Sequence, residues 1–204
     1  MAEPAYTRLQ VDERRRQLLD AGAALFAEHS FEEISMREIA AAAGVSKALL
    51  YHYFPSKIDL FKAAVAEAAG ELQRLIEPSG EGAPAEQLAA TLDSYLAWIE
   101  THALTWTKLM QSAATLPEAR ETIEGFRERT MNIVLAELTG SRTPRPALRT
   151  AIRGWLGYMD AAILDWTQHQ DLSRTHLHGL LLAAFGASLL AAQQADPKIK
   201  LRLG

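Results

Sequence analysis

A short stretch near the N-terminus gathers side chains that donate hydrogen bonds to negatively charged partners. Lys47 and Lys57 supply ammonium groups, Tyr51 and Tyr53 supply phenol hydroxyls, and His52 supplies an imidazole. Such groups bond phosphate oxygens, and an ammonium in the major groove of DNA also bonds guanine O6 and N7. Lys47 is our first candidate for a base contact, because it lies in the second of the two short helices described below. His52 could bond either a phosphate or a base.

Three neighbouring positions add to this candidate DNA-binding set. Arg37 lies at the start of the second predicted helix, where free N–H groups and the helix dipole already favour a phosphate. Ala48 and Leu49 offer only apolar contact, for which thymine methyl groups are the natural partners. Ser46, which precedes them, is counted as the first residue of the same surface.

The chain carries no recognisable catalytic or metal-binding motif. It has no cysteine, and its sequence contains no His-Glu-x-x-His, no P-loop and no glycine-rich dinucleotide turn. His176 and His178 are two residues apart on a predicted helix, so they point in different directions and do not form a metal site. We therefore predict no catalytic residues, no metal site and no cofactor.

The elements that must hold these side chains are marked by helix caps. Ser35 and Glu38 have the spacing of a capping box, and Gly44 suits the left-handed exit of a short helix. Ser46 caps a second short helix, which Pro55 ends. Two short helices joined by a glycine turn form a helix-turn-helix, with its recognition helix at about 46–53.

The composition predicts an all-α fold. Ala and Leu supply 36 and 29 residues, against 4 Val and 10 Ile, and apolar residues recur at helical spacing in about nine segments. The formal net charge is −4, and residues 1–60 hold seven Lys and Arg against nine Asp and Glu, a balance of −2. Binding to DNA would therefore depend on where the charges lie and not on their sum.

The N-terminal pattern resembles that of the TetR-family transcriptional regulators over residues 12–65. Two departures are visible: Ser30 stands where a glycine commonly ends the first helix, and Ala48-Leu49 replace a glycine and a small polar residue. The residues that carry the resemblance are Ala21, Leu25, Phe26, Phe31, Ile39, Ala40, Ala43, Gly44, Val45, Ser46, Leu50, Tyr51, Phe54, Lys57 and Leu60.

The resemblance implies an N-terminal helix-turn-helix DNA-binding domain at 1–58 and a C-terminal ligand-binding and dimerisation domain at 59–204. It implies phosphate contacts from Tyr51, Tyr53 and Lys57, and a homodimer on a pseudo-palindromic double-stranded operator. It also implies release from DNA by a hydrophobic small molecule, so that the protein is expected to act as a ligand-responsive repressor.

The C-terminal helices suggest where the subunits and the effector would bind. Small residues let helices approach closely, and we predict a dimer interface of this kind, although the same residues could pack within one subunit. This predicted interface consists of Ala151, Gly154, Ala161, Gly179, Ala183, Ala187 and Ala191. Aromatic and methionine side chains suit an apolar effector cavity, although core packing would explain each of them equally. This predicted lining set consists of Trp98, Trp106, Met110, Met131, Trp155, Tyr158 and Met159.

The N-terminus is polar, and the longest apolar stretch is shorter than a membrane span, so we expect a cytoplasmic protein without a membrane partner. The alternative is a ligand-independent DNA-binding or partner-binding helical protein, for which no metabolite would change operator affinity. An all-α enzyme has no supporting motif in the sequence.

Overall fold

The computed structural model describes residues 5–77, 83–141 and 143–202, and this part of the chain forms nine α-helices and no strand. The predicted all-α architecture is therefore confirmed. The helices are α1 (Ala5–Glu28), α2 (Met36–Ala42), α3 (Lys47–Tyr53), α4 (Lys57–Ile76), α5 (Pro84–Thr101), α6 (Ala103–Thr115), α7 (Pro117–Thr139), α8 (Pro146–His169) and α9 (Arg174–Ala195).

The contacts divide the chain into two compact units. The N-terminal unit runs to Gly70 and includes Leu104–Thr122, and the C-terminal unit contains Glu71–Ala103 and the chain from Ile123 onward. Helix α6 therefore belongs to the same unit as the predicted helix-turn-helix. The division expected between residues 58 and 59 stays a prediction.

A single apolar core holds the N-terminal unit together. Three phenylalanines meet in it, with the ring of Phe26 5.1 Å from that of Phe61 and the ring of Phe31 5.2 Å from that of Phe61. Gly22 lets α1 approach α4 closely, since a Cβ atom there would lie 2.8 Å from Leu60 Cδ2. The buried core residues are Leu18, Leu19, Phe26, Ile34, Met36, Ile39, Ala40, Leu50, Phe54, Leu60, Phe61, Val65 and Ala119.

The turn between α2 and α3 has the geometry that the caps predict. The Ser35 hydroxyl accepts a hydrogen bond from the Glu38 amide, and the Glu38 carboxylate accepts one from the Ser35 amide at 2.8 Å. The Ser35 hydroxyl also donates to the Glu38 carboxylate at 2.7 Å, and this bond, together with the one from the Ser35 amide, lowers the pKa of Glu38. Gly44 has a φ of 65°, a conformation that L side chains rarely adopt.

In the C-terminal unit, α8 and α9 pack along most of their length. The Trp155 indole lies 4.8 Å from the Phe185 ring and donates a hydrogen bond to the Leu181 carbonyl at 3.0 Å. The Trp166 indole donates to the Leu172 carbonyl at 2.7 Å. These hydrogen bonds satisfy both indole N–H groups, so the two tryptophans are anchored by polar as well as apolar contacts.

An ion-pair network joins α7 to α8. The Arg127 guanidinium donates to Asp160 at 2.6 Å and to Glu124 at 2.6 Å, and Arg153 donates to Glu124 at 2.6 Å. Burial raises the pKa of the Asp160 carboxyl, and Arg127 opposes that rise. The hydrogen bond from Arg153 lowers the pKa of Glu124. These pairs fix the register of the two helices.

Helix α9 is the most apolar surface helix in the described ranges. By length and composition alone the whole helix would cross a membrane, although the apolar stretch counted in the sequence is shorter than a span; its most apolar 18 residues have a mean hydropathy of 1.4 and are 28% buried. Leu180 is 48% exposed and Leu190 is 63% exposed. The chain by itself thus leaves one side of α9 uncovered.

Replacing Gly44 with alanine is expected to lower the free energy of unfolding by about 1–2 kcal/mol, because a Cβ atom disfavours the left-handed conformation. The matched control is Gly70→Ala in α4, where an added Cβ meets nothing within 4 Å. That variant should be neutral or stabilised by up to about 1 kcal/mol, since alanine favours the helix. Urea unfolding at one protein concentration measures the stability of both variants. Equal effects would contradict the requirement for a left-handed conformation at Gly44.

Candidate functional site

Helix α3 is held on the N-terminal unit by two buried anchors. Leu50 is fully buried, and Phe54, which directly follows the helix, is 2% exposed. Because these residues face the core, the opposite side of α3 turns toward solvent, while Tyr53 is half-buried and packs against the core. The Arg15 guanidinium lies 5.1 Å from the centre of the Phe54 ring, so α1 also covers this anchor.

The outward face of α3 consists of the residues that the sequence predicts. Leu49 is 36% exposed and Tyr51 is 40% exposed, and Lys47, Ala48 and His52 are exposed as well. Exposed apolar and aromatic side chains that lie together on one face form a patch of the kind that marks interaction surfaces. The face carries no carboxylate, so nothing on α3 itself would repel a phosphate.

Several of these side chains also contact one another. The Lys47 ammonium lies 5.5 Å from the centre of the Tyr51 ring. Tyr53 is half-buried, and its ring meets that of His52 edge to face at 5.3 Å. The Ser46 hydroxyl accepts a hydrogen bond from the Leu49 amide at 3.2 Å, so it already caps the helix.

Two further predicted residues lie at helix starts. Arg37 is exposed in the first turn of α2, directly before Glu38. Lys57 is half-buried, and its ammonium donates to the Phe31 carbonyl at 2.6 Å and to the Ile34 carbonyl at 2.8 Å. The same ammonium lies 4.3 Å from the centre of the Phe31 ring. Lys57 thus ties α4 to the loop between α1 and α2, a role that local sequence patterns did not reveal.

The C-terminal unit contains an apolar cavity of about 90 Å³. Of the predicted lining residues, Trp155 and Met159 contribute to its wall. Sequence reasoning missed the remaining wall residues, which have no motif of their own. They are Ile76, Pro84, Gln87, Leu88, Thr91, Leu92, Tyr95, Phe126, Thr130, Ile133, Val134, Glu137, Leu138 and Phe185.

The other five predicted lining residues do not line this cavity. Trp98 stacks on His102, with ring centres 4.3 Å apart. Tyr158 is 41% exposed, because it points from the outer side of α8 toward solvent. Trp106 and Met110 lie on α6 in the N-terminal unit, and Met131 is half-buried on α7 away from the cavity wall.

The predicted interface residues lie on the outer faces of α8 and α9. Six of them are exposed, and Ala151 is half-buried. An added Cβ would meet nothing within 4 Å at Gly154, Gly157 or Gly179. Packing inside the chain therefore does not require these residues to be small.

Two family models match the chain. The N-terminal model, bacterial regulatory proteins of the tetR family, matches residues 18–64. The second, the tetracyclin repressor-like C-terminal domain, matches residues 84–188. The first match runs from the last part of α1 to the start of α4, so it contains the exposed face of α3 described above.

Curated relatives and solved structures agree with these matches. The transcriptional repressor KstR of Rhodococcus jostii is 35% identical over 52% of this chain and 45% of its own length. The regulator BetI of Agrobacterium fabrum is 31% identical over 68% of this chain and 69% of its own. The activator FasR of Mycolicibacterium smegmatis is 47% identical over 28% of this chain and 26% of its own. The alignments with KstR and FasR thus span less than half of those relatives.

Among solved structures, a tetR-family transcriptional regulator from Streptomyces coelicolor superposes with a TM-score of 0.83 at 26% identity. This superposition covers 92% of this chain and 85% of that one. The fold and the sequence matches therefore point to the same family.

Replacing Lys57 with methionine is expected to lower the free energy of unfolding by about 1–3 kcal/mol, because two loop carbonyls lose a charged donor. Lys62→Met, an exposed position on the same helix, is the matched control and should be nearly neutral. Urea unfolding without DNA gives both values. A neutral Lys57→Met would instead show that the carbonyl contacts are dispensable and would leave the phosphate role as the stronger one.

Proposed function

The chain belongs to the TetR family of bacterial regulatory proteins, and we propose that it is a ligand-responsive transcriptional repressor. It would bind a pseudo-palindromic operator as a homodimer and leave it when a hydrophobic small molecule binds. We assign this activity to the cytoplasm, where bacterial DNA is accessible. The curated relatives named above are all transcriptional regulators, two of them named by the direction of control: KstR as a repressor and FasR as an activator.

The observation that carries this proposal is the exposed, carboxylate-free face of α3. A helix that offers a cation, a phenol and apolar side chains together fits the major groove, where phosphates, base edges and thymine methyl groups lie side by side. In this proposal Lys47 reads a base, and Ala48 and Leu49 contact thymine methyl groups. Tyr51 and His52 extend the same surface.

Phosphate contacts would come from the residues around that face. Arg37 lies at the start of α2, where the helix dipole favours an anion, and Tyr53 and Ser46 have hydroxyl groups at either end of α3. Lys57 has one ammonium hydrogen left after its two carbonyl contacts, so it could still add a phosphate contact. Phosphate contacts set the position of the protein on the duplex, whereas base contacts determine which DNA sequence it recognises.

Dimerisation is supported by the uncovered sides of α8 and α9. Small residues there leave room for close helix approach, and Tyr158, Leu180 and Leu190 surround them with exposed apolar surface. Pairing the same face of two chains would remove this surface from water. A dimer would also present two α3 helices to half-sites about one DNA turn, ~34 Å, apart.

Effector response is supported by the apolar cavity of the C-terminal unit. A ligand that binds one spacing of the two recognition helices better than the other shifts the population toward it, and operator affinity falls by that difference. Helices α4 and α7 carry cavity residues and also residues of the N-terminal core, Ile76 with Leu60 and Phe126 with Ala119. Each of these two helices thus carries residues of both the cavity and the N-terminal core.

Selection from a library of random duplexes at fixed salt tests the proposal directly. The chain should enrich a pseudo-palindrome, and that site should then serve to screen for molecules that release it. A folded, dimeric preparation that enriches no sequence would contradict the proposal. If a site is enriched but no small molecule changes its affinity, the ligand-independent alternative is the better description.

The Lys47→Ala variant should bind the selected operator about 1–3 kcal/mol more weakly, with little change on random duplexes, because Lys47 is assigned to a base. Arg37→Ala, assigned to a phosphate, should weaken operator and random DNA equally and flatten the salt dependence. Fluorescence anisotropy titrations at several salt concentrations measure both. Equal losses on the two DNAs for Lys47→Ala would overturn its assignment.

Substituting Ala183 with glutamate should convert the dimer to a monomer, since a carboxylate would be buried in an apolar interface without a partner. Ala183 is exposed, so the fold of the single chain should persist. Ala66→Glu, at an exposed position of α4, is the matched control and should stay dimeric. Sedimentation equilibrium measures the association, and a dimeric Ala183→Glu would place the interface elsewhere.

A further inference from the structure

The charge distribution around the apolar cavity restricts what can bind there. Among the described residues that line it, Glu137 is the one with a formal charge, and the wall in these described ranges contains no lysine, arginine or histidine. Glu137 is exposed, so its carboxylate lies at the rim, where the cavity meets water. A ligand would therefore meet a negative group on entry and no positive group inside.

The hydrogen-bond donors of the wall are also committed in part. The Trp155 indole N–H is donated to the Leu181 carbonyl, and the Thr130 hydroxyl donates to the Phe126 carbonyl at 2.9 Å. An anion that loses water needs donors or a cation in return, and otherwise its burial is costly. Because the described part of the wall also holds no cation, these walls disfavour a carboxylate or phosphate.

The aromatic residues of the wall favour the opposite charge. Tyr95, Phe126, Trp155 and Phe185 all line the cavity, and their ring faces are electron-rich. Because its N–H is used, Trp155 offers only its ring to a ligand. Aromatic faces attract organic cations, most strongly where water is excluded.

We propose that the effector is a small hydrophobic cation, an amine or a quaternary ammonium with an apolar body. The body lies against Trp155 and Met159, and the positive charge lies at the rim near Glu137. This assignment rests on the proposed function, because it names the ligand class of the cavity that would release the repressor from DNA.

Three probes with the same eight-carbon chain separate the possibilities: octylamine, octanol and octanoate. Calorimetric titration of the full-length protein without DNA at neutral pH measures each affinity. Octylamine should bind about fivefold more tightly than octanol, which lacks the charge. Octanoate should bind at least about tenfold more weakly than octylamine, because its charge has no partner in the wall.

The variant that isolates the charge is Glu137→Gln, which keeps the shape of the rim. It should lower the octylamine affinity about fivefold and so remove the preference for octylamine over octanol. The matched control is Glu128→Gln, an exposed carboxylate on α7 that does not line the cavity, and it should keep the wild-type preference. Melting curves of both variants check that the fold is retained.

Several outcomes would overturn the assignment. Octanoate binding as tightly as octylamine would do so, as would a preference that survives Glu137→Gln or the failure of all three probes to bind. Because the titrations contain no DNA, they are independent of the duplex selection. An enriched operator with no amine binding refutes only the ligand class, whereas amine binding with no enriched operator refutes the proposed repressor.

Discussion

The orientation of α3 depends on the burial of Leu50 and Phe54 beneath it. A helix of seven residues is too short to persist in water alone, so its position comes from the core that receives these two side chains. Gly44 sets the angle at which the chain enters the helix, and Ser46 satisfies the amide of Leu49 at its start. The exposed face is therefore a consequence of what is buried on the other side.

That core is completed by residues from much later in the chain. Leu109, Ala113 and Leu116 pack against it, and Ala119 of α7 is 1% exposed within it. The N-terminal unit is thus not an independent folding unit made of the first sixty or so residues alone. A rearrangement of α6 or of the start of α7 would therefore alter the packing on which α3 rests.

Local signals predicted α2 and α3 well and the cavity poorly, for one physical reason. Caps and glycine turns act within four residues, so Ser35, Glu38, Gly44 and Ser46 reveal α2 and α3 directly. A cavity is defined by which faces of distant helices meet, and helical periodicity does not distinguish a face that lines it from one that points to solvent. Tyr158 and Met159 are adjacent in sequence and illustrate the ambiguity, since one is exposed and the other lines the cavity.

The positions of the charged side chains explain how a chain with a net charge of −4 can offer a surface of the kind proposed to bind DNA. The carboxylate of Glu38 is turned back onto Ser35 by the capping box, and the ammonium of Lys57 is held mainly by the carbonyls of Phe31 and Ile34. Two formal charges near α3 are thus partly neutralised by hydrogen bonds inside the fold. Lys47 stands on a helix without a carboxylate, so its field toward solvent is not cancelled by a neighbour on the same helix. What a phosphate would meet is this local arrangement, and counting charges along the sequence does not describe it.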